Sequence, residues 1–147
     1  MAERVVSGIP ETIANLKKYQ VIKTQAIKDR LKKQAFKVET LTKQIMSEKG
    51  VWDTGRAASS ISTNWAGSNL NEGKTGPKAQ PGDGVKEPQG PKELVYVVGS
   101  NVFYVPYNEF GTSKLTARPF LFPAYFSYEG ETIMALTKIM KEDVRLV

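Results

Sequence analysis

One amphipathic pattern between residues 10 and 49 limits the possible folds of this chain more than any other feature. Apolar side chains recur there mostly at steps of three and four residues, with a thin stretch around Gln20 and Thr24: Ile13, Leu16, Ile27, Leu31, Ala35, Val38, Leu41 and Ile45. Such steps place the side chains along one face of an α-helix. The pattern therefore predicts one long helix over 10–49, or two helices joined in line.

The predicted ends and length of this helix also bear on assembly. Pro10 and Glu11 suit a first turn, and Gly50 suits the residue after the last one. About 39 residues span about 58 Å, whereas a compact domain of this size is about 40 Å across. Either a kink or a neighbouring subunit that covers the overhang must resolve the mismatch, and we favour the subunit.

The middle of the chain predicts two strands separated by a long arm. Alternation of apolar and polar residues predicts a strand over 57–66. The β-branched run after Leu94 predicts strand structure over 94–105. For the last part of that segment, the alternative is a short helical turn that Gly111 ends. Residues 67–93 hold six of the twelve glycines and four of the eight prolines. This arm is either a floppy insertion or a segment that orders on a neighbouring molecule.

The C-terminal part predicts a second helix over 119–146. Pro119 and Pro123 both fit a first turn, where backbone donors have no helical partner. Its apolar face is predicted to consist of Tyr125, Tyr128, Ile133, Leu136, Ile139, Met140 and Val144. The element order predicts a single α+β domain over residues 1–147, in which the two helices pack on a small, mainly antiparallel sheet.

Composition argues against several classes of function. The chain has neither cysteine nor histidine, so thiolate chemistry and the commonest general base and metal ligand are unavailable. It also has no phosphate-binding glycine motif and no regular acidic pairs. We expect no enzymatic activity, no cofactor and no metal. Without a signal peptide or a membrane-length apolar run, we expect a protein made in a cytoplasm.

The formal net charge of +6 is concentrated in the long helix. Between residues 10 and 49 there are ten Lys or Arg and four Asp or Glu, and 10 − 4 accounts for the whole excess. A solvated helix face explains such a row, and so does a surface for an acidic partner, either nucleic acid or protein. Lysine dominates over arginine, and no helix-turn-helix or stacking platform accompanies it, which disfavours sequence-specific DNA recognition.

Residues 104–124 (YVPYNEFGTSKLTARPFLFPA) surround one carboxylate, Glu109, with aromatic side chains. The aromatic residues are Tyr104, Tyr107, Phe110, Phe120 and Phe122. A carboxylate in an apolar site needs a partner or must protonate. The candidates are Arg118 and Arg56, in an ion pair that lies within the chain or crosses between subunits.

Two motifs in this chain resemble those of a phage protein family. Asp53-Thr-Gly-Arg56 with Ser59-Ser-Ile61 resembles a TGR/L…SI signature, and Val98-Gly-Ser100, YVPYNEFGT (104–112) and ARPFL-x-PA (117–124) resemble YA-x-YVEFGT…ARPFL-x-PA. The two family patterns are typical of the gene-ten-product-like neck and tail-component proteins of long-tailed bacteriophages, which this chain resembles. The resemblance covers roughly residues 9–146. Pro106, where the family has a small residue, and the insertion at 67–93 depart from the pattern.

The resemblance implies a structural virion protein without enzymatic activity or cofactor. Such proteins form a homo-oligomeric ring, with six copies expected, at the head–tail junction between the connector or head-closure protein and the tail tube. A tail-terminator ring is the alternative, and a small basic protein that binds nucleic acid non-specifically is the alternative from another class. We expect contacts through the arm and the long helix, and no membrane association.

Overall fold

The computed structural model describes residues 9–51, 55–63, 94–100 and 102–142. Their elements, in chain order, are α1 (Ile9–Glu48), α2 (Arg56–Ser60), β1 (Ser62–Thr63), β2 (Val98–Gly99), α3 (Val105–Phe110) and α4 (Leu121–Lys141). The α+β class is confirmed in its coarse form, because two long helices accompany a two-stranded antiparallel sheet. The predicted arm at 67–93 lies outside the described residues. Within them, no helix is both long and apolar enough to cross a membrane.

Helix α1 is continuous over 40 residues, which confirms the predicted long helix and shows no break near Gln20 or Thr24. Its end is set by Gly50, whose φ of 65° lies in the left-handed region. The N–H of Val51 donates to the carbonyl of Met46 at 2.9 Å, and that of Gly50 to Ser47 at 3.2 Å. This pair of bonds is a Schellman motif, which satisfies carbonyls that the last helical turn leaves without partners.

Helices α1 and α4 pack side by side in antiparallel directions. Lys23 donates to the carbonyls of Ile139 and Glu142 at the C-terminal end of α4. Near the other end of α1, Lys49 Nζ donates to the carbonyl of Pro119 at 2.6 Å, just before α4 begins. The contact between these helices is the largest between elements, although α1 also touches both strands. The main layer is thus helix on helix, rather than two helices on a sheet as predicted.

Burial along α1 is uneven. The buried residues are Gln34, Ala35, Val38, Thr42 and Met46, all in its second half. By contrast, Ile13 is 47% exposed and Leu16 is 63% exposed. The first turns of α1 extend past α4, as expected for a helix that overhangs its own domain, and the described residues leave their apolar side chains exposed.

The two predicted strands are much shorter than expected. Residues 57–60 belong to helix α2, in which the hydroxyls of Ser59 and Ser60 bond to backbone carbonyls three residues earlier. The predicted alternation is right for Ile61 and Thr63, which are buried. Among the described residues of the second segment, the strand is limited to Val98–Gly99. The apolar side chains before it are not buried as predicted: Leu94, Val95 and Val97 are 42–48% exposed.

The main core lies where the C-terminal end of α1 meets α2, the segment before α3 and the start of α4. Its buried members are Met46, Ala57, Ala58, Ile61, Val102, Val105 and Phe120. Helix α4 begins at Leu121, two residues after Pro119, and ends at Lys141. The predicted span of 119–146 therefore starts two residues too early. Residues 143–147 lie outside the described ones. Pro119 consequently precedes the helix, whereas Pro123 occupies its first turn.

Candidate functional site

The two sequence motifs meet in space. Strands β1 and β2 pair antiparallel with Ser62 opposite Gly99 and Thr63 opposite Val98. Beside them, the hydroxyl oxygens of Ser60 and Ser100 lie 2.5 Å apart, and Ser100 Oγ accepts a hydrogen bond from the N–H of Val102 at 3.1 Å. Residues about 40 positions apart in the chain are thereby joined into one unit.

Arg56, the last residue of the first motif, contacts the second motif through an aromatic ring. Its guanidinium carbon lies 5.9 Å from the ring centroid of Tyr104, within the range of a cation–π contact. Arg56 is buried at 9% exposure, and Tyr104 packs against the main core. This contact accounts for the position of Arg56 without any role for Glu109.

Glu109 is a buried carboxylate with 5% exposure, and it binds the start of α4. Its Oε2 accepts hydrogen bonds from the N–H groups of Phe120 at 2.8 Å and Leu121 at 3.0 Å. Its Oε1 accepts one from the N–H of Phe122 at 3.0 Å. A negative charge at the positive end of a helix, with three N–H donors aimed at it, compensates for removing the carboxylate from water.

This arrangement accounts for the donors at the N-terminus of α4. The first N–H groups of a helix have no partner within it. Glu109 accepts from residues 120, 121 and 122, Pro123 has no N–H, and Ala124 N already bonds to Phe120 O at 3.4 Å. Glutamate and proline thus act together to satisfy the helix start, which explains their joint presence in the second motif.

The predicted ion pair between Glu109 and an arginine of the same chain is wrong. Among the described residues, no salt bridge joins Glu109 to Arg118 or Arg56. The Arg118 side chain is exposed, and its main-chain N–H donates to the carbonyl of Asn108 at 2.7 Å. The backbone satisfies the carboxylate more fully than one guanidinium could. A pair that crosses between subunits stays a prediction.

Gly111 lets the chain fold back so that Glu109 reaches α4. It follows α3 with a φ of 75°, as predicted for the residue that ends this short helix. A β-carbon at this position would lie 2.8 Å from both Ala117 N and Leu115 O. Only glycine tolerates both the backbone conformation and this close approach.

Two aromatic side chains predicted to surround Glu109 are exposed: Phe110 is 67% exposed and Phe122 46%. Phe126, which follows one turn later in α4, is 60% exposed. The ring centroids of Phe110 and Phe122 are 5.7 Å apart, those of Phe122 and Phe126 are 6.2 Å apart, and Tyr125 lies 5.4 Å from Phe126. We call these four residues the aromatic face. Tyr107 is also exposed, so Phe120 is the aromatic residue of this segment that fills the core.

Part of the basic row on α1 is engaged by α4. Glu131 accepts from Lys37 Nζ at 2.6 Å and pairs with Arg30 at 3.1 Å, and the Lys37 ammonium lies 5.4 Å from the Tyr128 ring centroid. The hydrogen bond from Lys37 lowers the pKa of Glu131 below its usual value, and so do the amide of Gln34 and the positive charges of Lys37 and Arg30. These lysine and arginine side chains thus hold the two helices together.

A groove of about 330 Å³ lies between α1 and α4 beside the segment that begins at Leu94. Its walls are mostly apolar, with Val38, Tyr96 and Tyr128 among them. Gln34 also lines the groove. It is 4% exposed, and its amide contributes to the lowered pKa of Glu131 on the opposite helix.

Sequence reasoning missed Phe126, Glu131 and Gln34. The four-residue step from Phe122 to Phe126 could have identified a second aromatic stripe on α4. Nothing in the local sequence distinguishes Glu131 or Gln34 from other polar helix residues, because their roles depend on the opposite helix. The described residues contain no cluster of three or more side chains suited to a metal ion.

Comparison with known proteins finds no matching family model, no similar curated protein and no similar solved structure.

Proposed function

We propose that this chain is a structural virion protein that forms a homo-oligomeric ring at the head–tail junction of a long-tailed bacteriophage. In this role it links the connector or head-closure protein to the tail tube, and six copies match the symmetry of the tail. The proposal combines the family resemblance of the two motifs with one structural observation, the exposed aromatic face directly beside the second motif.

The aromatic face supports an assembly role because contiguous exposed apolar surface is typical of interaction sites. Phe110, Phe122 and Phe126 are exposed although the neighbouring Phe120 is fully buried. The backbone below them is held firmly by Glu109 and by the close approach at Gly111. A rigid, aromatic surface of this kind loses little conformational freedom when a partner covers it.

Interruption of the gene in the phage that encodes it tests this proposal. A neck protein is required to join heads to tails, so we expect filled heads and separate tails of normal length, which purified protein joins. The terminator alternative predicts overlong tails, because nothing then caps the tube. Normal infectious particles that lack the protein would overturn both.

The predicted role of the arm is tested by deleting residues 68–91. If the arm supplies subunit contacts, the deleted protein is monomeric under conditions in which the intact chain forms rings. A deleted protein that still forms closed rings and joins heads to tails would exclude this role and leave the remainder of the proposal intact.

Non-specific binding of nucleic acid is the second candidate, favoured by the concentration of the net charge on α1. Nucleic acid bound at α1 would compete for Lys23, Arg30 and Lys37 with the contacts that these side chains make to α4. A titration with duplex DNA at increasing salt tests it, since binding through phosphates weakens steeply as salt rises. Absence of binding at low salt would exclude this function.

A further inference from the structure

We infer that the first turns of α1 from one copy dock on the aromatic face of the next copy, so that subunits associate head to tail. This inference deepens the proposed ring and rests on it. It assigns the two contacting surfaces. Both surfaces are exposed on the same chain, and the geometry of α1 and α4 keeps them apart within one molecule.

The first surface is the overhang, residues 9–22 of α1. Lys23 contacts the end of α4, and every residue of the overhang except Tyr19 is exposed. Ile9, Ile13 and Leu16 lie at steps of four and three, on one helix face, and are 51%, 47% and 63% exposed. Fourteen helical residues extend about 21 Å, so the overhang is a helix with an exposed apolar stripe of that length.

The second surface is the outer stripe of α4, which continues the aromatic face. Phe122, Phe126, Ile133 and Met140 fall on one side of the helix and are 46–70% exposed. The stripe from Phe122 to Met140 is about 27 Å long. It is long enough to receive the whole overhang as a helix packed against a helix.

The overhang cannot reach the aromatic face of its own chain. The ammonium of Lys37 lies 5.4 Å from the ring centroid of Tyr128, which puts the aromatic face near the level of Lys37 along α1. Leu16 is 21 residues earlier on a continuous helix, or about 32 Å away along its axis. The other end of the outer stripe lies near Lys23, but α4 turns its opposite side, with Tyr128 and Glu131, toward α1. Docking of the overhang on the aromatic face therefore requires two copies.

The two patches differ, so one copy can use both of them at once. A contact between unlike patches can be repeated head to tail, and it forms a ring if the rotation closes. Charges agree with this pairing, because Lys17 flanks Leu16 and Glu129 lies between Phe126 and Ile133 on the outer stripe of α4. The alternative is a dimer that joins like patches, overhang to overhang or face to face.

A complementation experiment separates these arrangements. Leu16→Glu disables the overhang, and the double variant Phe122→Ser with Phe126→Ser disables the aromatic face. All three positions are exposed, so circular dichroism should show folded proteins. We expect each variant alone to associate at least about ten-fold more weakly than the unaltered chain, as loss of a buried leucine implies, and a 1:1 mixture to form a heterodimer by sedimentation velocity.

Cysteine cross-linking provides the second measurement, because the chain has no cysteine of its own. A mixture of Leu16→Cys and Phe126→Cys should form a disulfide-linked heterodimer on mild oxidation. Leu16→Cys mixed with Thr40→Cys is the matched control, since Thr40 is exposed on α1 away from both surfaces.

The inference is wrong if either variant alone associates like the unaltered chain, if the mixture stays monomeric, or if the first cysteine pair forms no more disulfide than the control. Rings in the virion without this cross-link would overturn the assigned contact but leave the proposed function standing. Normal particles in the absence of the protein would overturn the proposed function itself.

Discussion

The carboxylate oxygen Oε2 of Glu109 accepts a hydrogen bond from the main-chain nitrogen of Phe120 at 2.8 Å, and both residues are buried. They belong to the two halves of the second motif, EFGT and ARPFL. The hydrogen bonds at Glu109 therefore couple a surface helix, α3, to the residue that fills the core and starts α4. This coupling gives the motif a structural role that is independent of any ligand.

Glu109→Gln should destabilise the protein by about 2–4 kcal/mol, because the amide nitrogen must face at least one of the three N–H groups that need an acceptor, and because the substitution removes a charge from the helix start. Urea denaturation would measure the change. Arg118→Ala is the matched control and should change stability by less than about 0.5 kcal/mol, since its side chain is exposed. Equal losses of stability in the two variants would instead support an ion pair between Glu109 and Arg118.

Gly111→Ala should destabilise the fold severely, by about 3 kcal/mol or more, because the added β-carbon meets backbone atoms at 2.8 Å where φ is 75°. Gly130→Ala is the control within α4. A β-carbon there meets nothing within 4 Å, so alanine should stabilise the helix by about 0.5–1 kcal/mol. Thermal unfolding of both variants checks the contrast, and similar melting temperatures would contradict it.

Glu131 should make the stability dependent on pH. Its pKa is lowered in the folded chain, first by the hydrogen bond from Lys37. The stabilisation is therefore present above the unfolded pKa and is lost as pH falls through the lower folded value. Unfolding free energies of the unaltered chain and Glu131→Gln should differ near neutral pH and converge in acid. A difference that does not change with pH would contradict the assignment.

Local signals determined the two long helices and the C-terminal ends of α1 and α3. The long helix followed from apolar spacing, and Gly50 and Gly111 were identifiable as terminators because few other residues adopt a positive φ. The strands were overpredicted because alternation at Ile61 and Thr63 reports two buried side chains, whereas a strand also needs a hydrogen-bonded neighbour. Among the described residues, two on each side have one.

The sequence by itself determined that Glu109 needs a partner, that α1 is longer than its own domain, and that the chain has neither histidine nor cysteine. Only the tertiary structure decided that the partner of Glu109 is the start of α4, that Glu131 pairs with Arg30 and Lys37 of the basic row, and which aromatic rings are exposed. The physical reason is that helix periodicity and backbone conformation are local properties, whereas hydrogen-bond partners and burial depend on which element lies opposite.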